Sequence, residues 1–242
     1  MRIVFSWDDG APEDLRLIEL HEKYGIPGMF FVPTRNLEGR DVLTPEQIRN
    51  ARSGLISFGG HTENHVYLTA IEPDRVESEI VNNKRYLEDV LGEEIRHFCL
   101  PGGQYNQDIL STAFRHFTTV RTADTFNFKD GSTINKNGQR LLMPTFHFYP
   151  RTYKSRIGNC LKHQSFGQLG YIAAHPWWTY LKLIQETLER ERNKSSVIMI
   201  WGHSWEIEKL GHWSDLETLM GRIASDFRGN CVDYSMLDTT VT

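Results

Sequence analysis

Short apolar runs, rich in β-branched and aromatic residues, alternate along this chain with longer amphipathic stretches. Apolar runs of this kind, ended by polar residues or glycine, predict buried strands. Regular alternation of strands with helices favours a parallel sheet, because a parallel neighbour is reached through a helical crossover. The predicted strands are residues 3–6, 29–32, 55–58, 95–100, 117–120, 197–201 and 231–235.

The amphipathic stretches predict helices at residues 12–23, 72–91, 181–194 and about 213–227. A further helix is predicted after Thr44, where a capping hydroxyl is followed by Pro45 and Gln47 in the order typical of a helix start. Seven to eight strand–helix units favour an α/β barrel over an open sheet.

The chain has 242 residues, enough for one large α/β domain, so we predict a single domain over residues 1–242. The stretch at about residues 126–178 breaks the strand–helix rhythm with glycine, asparagine, proline and aromatic residues. It predicts a loop-rich insertion and not a second domain.

Charge and composition exclude several kinds of partner. The net charge is −4, so there is no basic excess for nucleic acid, and no apolar run is long enough to span a membrane. Met1 leads almost directly into the first strand, and Cys99, Cys160 and Cys231 form no CxxC pair. We therefore expect a cytoplasmic protein with reduced, buried thiols. The oligomeric state is left open.

Polar clusters directly follow several predicted strands. In α/β barrels, reactive groups lie on the loops after the carboxyl ends of the strands. The clusters are Trp7-Asp8-Asp9-Gly10, Gly59-Gly60-His61-Thr62-Glu63-Asn64-His65, Pro101-Gly102-Gly103, Arg121 with Asp124, and Gly202-His203-Ser204. Their positions predict one active site at a common rim.

The histidine pair His61 and His65 has the spacing of two ligands on one face of a helical turn, which suits a zinc ion. Alone, that spacing is more typical of two surface histidines. Asp8 and Asp9 offer one carboxylate to complete the metal site and a second to act as a base, although a turn with a helix cap is the simpler interpretation of such a pair.

His203 is a candidate acid for protonating a leaving amine, because imidazole titrates near neutral pH. The other histidines are predicted to lie on helix or strand surfaces (His21, His97 and His116) or in loops (His147, His163, His175 and His212).

Four motifs, in this order, resemble those of the polysaccharide deacetylase family, also called carbohydrate esterase family 4 or the nodulation-protein B homology domain. The resemblance covers roughly residues 2–240. S-W-D-D-G at 6–10 resembles T-F-D-D-G, and H-T-E-N-H at 61–65 resembles H-[ST]-x-x-H. F-C-L-P-G-G-Q-Y-N at 98–106 is similar to F-A-Y-P-x-G-x-Y-N, and M-I-W-G-H at 199–203 is similar to L-x-L-x-H.

The resemblance implies an α/β fold, a distorted (β/α) barrel of about seven units with mostly parallel strands. It also implies a metal-dependent hydrolase that removes an N-acetyl or O-acetyl group from a carbohydrate or an acylated sugar amine. One divalent ion, usually zinc, is then bound by Asp9, His61 and His65. Asp8 is the catalytic base and His203 the acid.

The resemblance further implies that the backbone N–H of Gly102 helps to hold the oxyanion, although relatives often carry tyrosine at that position. A second departure is Cys99, which stands where the third motif has an arginine that pairs with the catalytic base. Arg121, at the end of the next strand, is the candidate replacement; pairing with Asp124 is the alternative. Asp124, with Phe126 and Phe128, is also the nearest match to a further family motif.

Two alternatives stay open. One is a metal-independent hydrolase of a cyclic amide or ureide with the same fold. The presence of all three predicted metal ligands is an argument against it. The other is a carbohydrate-binding relative without catalysis, in which tryptophans stack on sugars; Asp8 and His203 speak against it. The tryptophans are Trp177, Trp178, Trp205 and Trp213. Polymers, lipid-linked sugars, nucleotide sugars and small metabolites all remain candidate substrates.

Overall fold

The computed structural model describes residues 1–125, 132–134, 138–149, 152–162, 166–175 and 179–237. The strands in this part of the chain form one sheet. In chain order they are β1 (Arg2–Asp8), β2 (Gly28–Val32), β3 (Ile56–Gly60), β4 (His97–Cys99), β5 (Thr119–Arg121), β6 (Ser132–Ile134), β7 (Arg140–Leu142), β8 (Phe146–His147) and β9 (Val197–Gly202).

Helices follow most of the strands. The α2 start is as the sequence predicts: the Thr44 hydroxyl accepts a hydrogen bond from the Gln47 backbone, and the Gln47 side chain accepts one from the Thr44 backbone. None of the described helices is long and apolar enough to cross a bilayer. They are α1 (Asp14–Tyr24), α2 (Pro45–Ala51), α3 (Pro73–Leu91), α4 (Gln107–His116), α5 (Tyr153–Lys162), α6 (Phe166–Ala174), α7 (Tyr180–Glu191), α8 (Ser204–Leu210) and α9 (Trp213–Asp226).

The strand order is β6-β7-β5-β4-β3-β2-β1-β9-β8. Every neighbouring pair is parallel except β6 and β7, which are antiparallel. The predicted α/β fold with mostly parallel strands is therefore confirmed, and the curled sheet forms a distorted (β/α) barrel.

Alternation along β1 decides which of its side chains face the site. Phe5 and Trp7 lie in the larger hydrophobic cluster with residues of the helices, whereas Val4 lies in a smaller cluster with Met199 and Tyr234. Successive side chains of a strand point to opposite faces. Asp8 therefore shares the face of Val4 and stands above the smaller cluster at the carboxyl end of the strand.

The prediction of a strand at residues 231–235 is wrong. Only Cys231 makes a β-bridge, with Ile3, and Tyr234–Leu237 form a short 3₁₀ helix. On that edge of β1, β2 pairs only with Ser6, Trp7 and Asp8. The segment therefore contacts the edge at one point and then turns inward, where Tyr234 and Leu237 are buried in the smaller cluster.

The stretch that the sequence marks as loop-rich holds β6, β7, β8, α5 and α6 among its described residues. β7 extends the sheet beside β5, and β8 extends it beside β9. These strands are two or three residues long. Such short runs have no detectable hydrophobic period, which is why sequence patterns do not reveal them.

Candidate active site

The polar clusters after β1, β3, β4 and β9 meet at one pocket of about 240 Å³. Arg121 lies directly behind Asp8 and is not part of the pocket lining. Asp124 is half-buried and is not part of the pocket lining. The lining residues are Asp8, Asp9, Glu38, Arg40, His61, His65, Tyr67, Leu100, Gly102, Ala123, Trp201, His203 and Trp205.

Asp9, His61 and His65 form a buried group whose nitrogen and oxygen atoms lie within 4.8 Å of one another. Oδ1 of Asp9 is 2.9 Å from Nε2 of His65 and 3.4 Å from Nε2 of His61. One carboxylate and two imidazoles, converging on a point, are the donor set of a catalytic zinc site. The residues present therefore fit a divalent metal ion.

The two histidines do not lie on a helical turn, which is the geometry that their spacing predicts. They lie in the loop after β3, where Thr62 and His65 have φ of 66° and 55°. Asp9 also has a positive φ, 78°. Such backbone angles are strained for residues other than glycine, and strain of this kind is typical of functional sites.

Neighbouring groups orient the ligands. Nδ1 of His61 donates to the Cys99 carbonyl at 2.8 Å, so Nε2 is the ring nitrogen that faces Asp9 and that could bind a cation. The backbone N–H of His61 donates to Asn83 at 2.7 Å, and Trp205 Nε1 donates to Asp9 Oδ2 at 2.8 Å. These bonds hold the site in one arrangement.

Electrostatics keep Asp9 ionised. Burial by itself raises the pKa of Asp9, but hydrogen bonds from His61 and His65 and the charge of His203 hold the pKa well below its ordinary value. An ionised carboxylate beside two imidazoles is the form that binds a cation.

Asp8 lies beside these candidate metal ligands. Its carboxylate is paired with Arg121. Nη2 of Arg121 donates to both carboxylate oxygens of Asp8 and to Cys99 Sγ at 2.9 Å. Cys99 and Arg121 are direct partners in the β4–β5 register, which places the guanidinium beside the position of the missing arginine. Burial lowers the pKa of Arg121, but Asp8 and Cys99 raise it above its ordinary value, so the guanidinium stays charged.

His203 immediately precedes α8 and shares a carboxylate with a second histidine. Nδ1 of His203 donates to Glu206 Oε2 at 2.6 Å, and Nε2 of His147 donates to the same oxygen at 2.9 Å. Burial opposes the charge on His203, but Glu206, Asp9 and Asp8 raise its pKa to about 9. His203 is therefore an imidazolium at neutral pH in the metal-free protein.

Sequence reasoning missed both Glu206 and His147. The His203–Glu206 spacing on a helix start was a usable local signal. His147 had none: it lies in β8, not in a loop, and stacks on Trp201 with ring centroids 4.1 Å apart. Burial acts to raise the pKa of Glu206, but the two histidines lower it to about 2.

Gly102 lies at the pocket wall with φ of 61°. A Cβ atom at this position would lie 2.6 Å from Cε1 of Tyr67, so the space beside Gly102 belongs to the Tyr67 ring. The resemblance implies a tyrosine at this position; here an aromatic ring beside the pocket comes from another loop instead. Tyr67 was another residue that the sequence did not single out.

Other predicted residues lie elsewhere. Trp213 is buried, with Arg16 Cζ 4.4 Å from its ring centroid. The surface positions predicted for His21 and His97 are wrong, because both are buried; His21 accepts a hydrogen bond from Trp7 Nε1 at 2.7 Å. The three thiols are unpaired; Cys99 and Cys160 are buried as predicted, whereas Cys231 is only half-buried. Phe126, Phe128, His163, Trp177 and Trp178 lie outside the described residues.

Residues 1–119 match the family model described as polysaccharide deacetylase. The N-terminal part of the chain, just under half of its length, therefore matches the polysaccharide deacetylase family. Among curated proteins it is similar to Bacillus subtilis YxkH, provisionally named a polysaccharide deacetylase, with 24% identity over 105 residues. That alignment covers 43% of this chain and 38% of YxkH, so it spans well under half the length of the curated relative.

Two solved structures are similar to this chain in fold. The Streptococcus pyogenes deacetylase PplD, in complex with acetate, is 25% identical with a TM-score of 0.50, over 59% of this chain and 62% of PplD. Puue allantoinase is 11% identical with a TM-score of 0.67, over 98% of this chain and 88% of the allantoinase. The second likeness shows the barrel alone, since proteins of this fold differ in chemistry.

Proposed function

We propose that this protein is a metal-dependent hydrolase that removes an N-acetyl or O-acetyl group from a carbohydrate or an acylated sugar amine, within a single catalytic domain. One observation carries the proposal: a triad that fits a divalent cation, a separate carboxylate and a histidine whose pKa is raised to about 9 border the same pocket. Deacetylation of an amide needs all three functions.

Asp9, His61 and His65 would hold the ion. A divalent ion bound there, usually zinc in this family, supplies Lewis-acid chemistry that polarises the acyl carbonyl. Trp205 holds Asp9 through a 2.8 Å hydrogen bond, and the Cys99 carbonyl holds His61.

The remaining steps fall to side chains of the chain itself. Asp8, held in place by Arg121, accepts a proton from the attacking water. His203, kept charged by Glu206, donates a proton to the leaving amine. The backbone N–H of Gly102 is our candidate donor to the oxyanion that forms on the acyl oxygen when water adds to the acyl carbon.

The two alternative functions are less well supported by these residues. A metal-independent hydrolase does not require the converging triad of Asp9, His61 and His65. A binding module requires neither Asp8 nor His203, and one face of Trp205 is covered by Arg40, whose Cζ lies 4.4 Å from the ring centroid. A sugar could not stack on that face without moving the cation.

The test is metal content and deacetylation measured together. We expect about one divalent ion per chain by elemental analysis and loss of activity in chelator that is restored by zinc, on a panel of N- and O-acetylated sugars. His65→Ala should remove the ion, whereas His116→Ala, which breaks a surface pair with Glu77, should not. Wild-type protein that holds no metal and is fully active in chelator would overturn the proposal.

A further inference from the structure

Arg40 lies in the pocket, and none of the proposed catalytic steps uses it. Its Nη2 is 3.6 Å from Asp9 Oδ2, its Cζ is 4.4 Å from the centroid of the Trp205 ring, and it pairs with Glu38. The side chain is 31% exposed. A cation therefore stands at the mouth of the proposed metal site.

The position of Arg40 is set by its loop, which joins β2 to α2. The backbone N–H of Arg35 donates to the Glu63 carbonyl at 2.9 Å, which ties the loop to the segment carrying the two histidines. The Leu43 backbone N–H donates to the Gly10 carbonyl at 2.7 Å at the other end. Both anchors belong to the loops that build the active site.

Two features indicate that the present partners of this arginine do not use its full hydrogen-bonding capacity. Its Nε is buried and has no hydrogen-bond partner among the described residues. One partner of Arg40, the carboxylate of Asp9, would also bind the proposed metal ion. Its other partner, Glu38, is 45% exposed at the rim of the pocket. Arg121, by contrast, is fully buried against Asp8 and offers no charge to the pocket.

A neutral sugar gains little from this arrangement. Neutral sugars bind through hydrogen bonds and through stacking on aromatic faces, and here the cation covers a face of Trp205. A planar guanidinium matches the geometry of carboxylate and phosphate groups, which it binds through paired hydrogen bonds.

We propose that Arg40 determines specificity and that the substrate is an acylated amino sugar carrying an oxyanion, either carboxylate or phosphate, close to its acyl group. This inference rests on the proposed deacetylase function and names the substrate class of the same site. Arg40 contacts the substrate and takes no part in the proton transfers.

The test compares the affinities of deacetylated sugars, so that turnover does not interfere. Calorimetry on zinc-loaded protein would use glucosamine, muramic acid, which adds a carboxylate, and glucosamine 6-phosphate, which adds a phosphate. We expect one or both anionic sugars to bind about 10-fold or more tightly than glucosamine, the scale of a charge-assisted hydrogen bond. The tighter of the two identifies the anion.

Arg40→Met should remove this advantage, so that the anionic sugars bind no more tightly than glucosamine to the same variant, and Arg40→Lys should keep part of it. The matched control is Arg35→Met on the same loop, whose side chain is 59% exposed and pairs with Glu63; it should change nothing. Equal affinities for all three sugars, no binding of any, or a preference that survives Arg40→Met would overturn the inference. If the anionic sugars bind more tightly and Arg40→Met removes that preference, but the acetylated forms are not deacetylated, the proposed function alone would be refuted.

Discussion

Replacing Glu206 with glutamine removes the charge that His203 and His147 share and keeps the size of the side chain. The rise of the His203 pKa from 6.5 to about 9 corresponds to about 3 kcal/mol, at 1.36 kcal/mol per pH unit. Burial opposes this rise, and Glu206 is the first of the groups that produce it, ahead of Asp9 and Asp8. In Glu206→Gln we therefore expect the His203 pKa to fall toward 6.5 or below.

The sign for stability follows from the same shift. A histidine whose pKa is higher in the folded state stabilises the fold below its unfolded pKa of 6.5, and that contribution disappears as the pH rises through about 9. Glu206→Gln should therefore cost up to about 3 kcal/mol of unfolding free energy below pH 6.5 and least above pH 9.

NMR titration of the His203 ring in metal-free protein measures the pKa directly, and urea unfolding at pH 6 and pH 9.5 measures the stability. Glu19→Gln, at an exposed position on α1, removes the same charge away from the site and should alter neither result. A His203 midpoint that stays near 9 in Glu206→Gln would refute the role given to Glu206.

Three further changes test other parts of the site. Asp8→Asn should lower kcat by about 10²-fold or more with metal content unchanged, by steady-state kinetics and elemental analysis; an unaltered kcat would remove Asp8 as the base. Arg121→Met should cost about 3–5 kcal/mol in urea unfolding, because it leaves Asp8 buried without its cation, and less when combined with Asp8→Asn; strictly additive losses would contradict a direct pair. Asp14 is fully buried and both its oxygens lack a hydrogen-bond partner among the described residues; burial raises its pKa well above 3.8, although nearby Ser204 acts to lower it. Ionising the buried Asp14 therefore costs free energy of unfolding, and this cost grows as the pH rises from 3.8. Asp14→Asn should raise Tm more at pH 8 than at pH 4. The same gain in Tm at both pH values would argue against a cost of ionisation.

The central strands, the capped start of α2 and the four motifs were all predictable from sequence. Each depends on residues close together in the chain: an apolar run, a hydroxyl three residues before a glutamine, two histidines four residues apart. Because the carboxyl ends of parallel strands meet at one rim, motifs that each follow a strand were bound to converge. The sequence by itself therefore determined the fold class and the principal members of the site.

The partners of those residues depended on strand order and register. Arg121 reaches Asp8 across 113 residues because β4 and β5 place it beside Cys99. The two-residue strand β8 brings His147 to Glu206, 59 residues away, and the loop after β2 brings Arg40 over Trp205. Contacts of this kind leave no local periodicity or spacing, so only the tertiary structure decided which groups contact Asp8, His203 and Trp205.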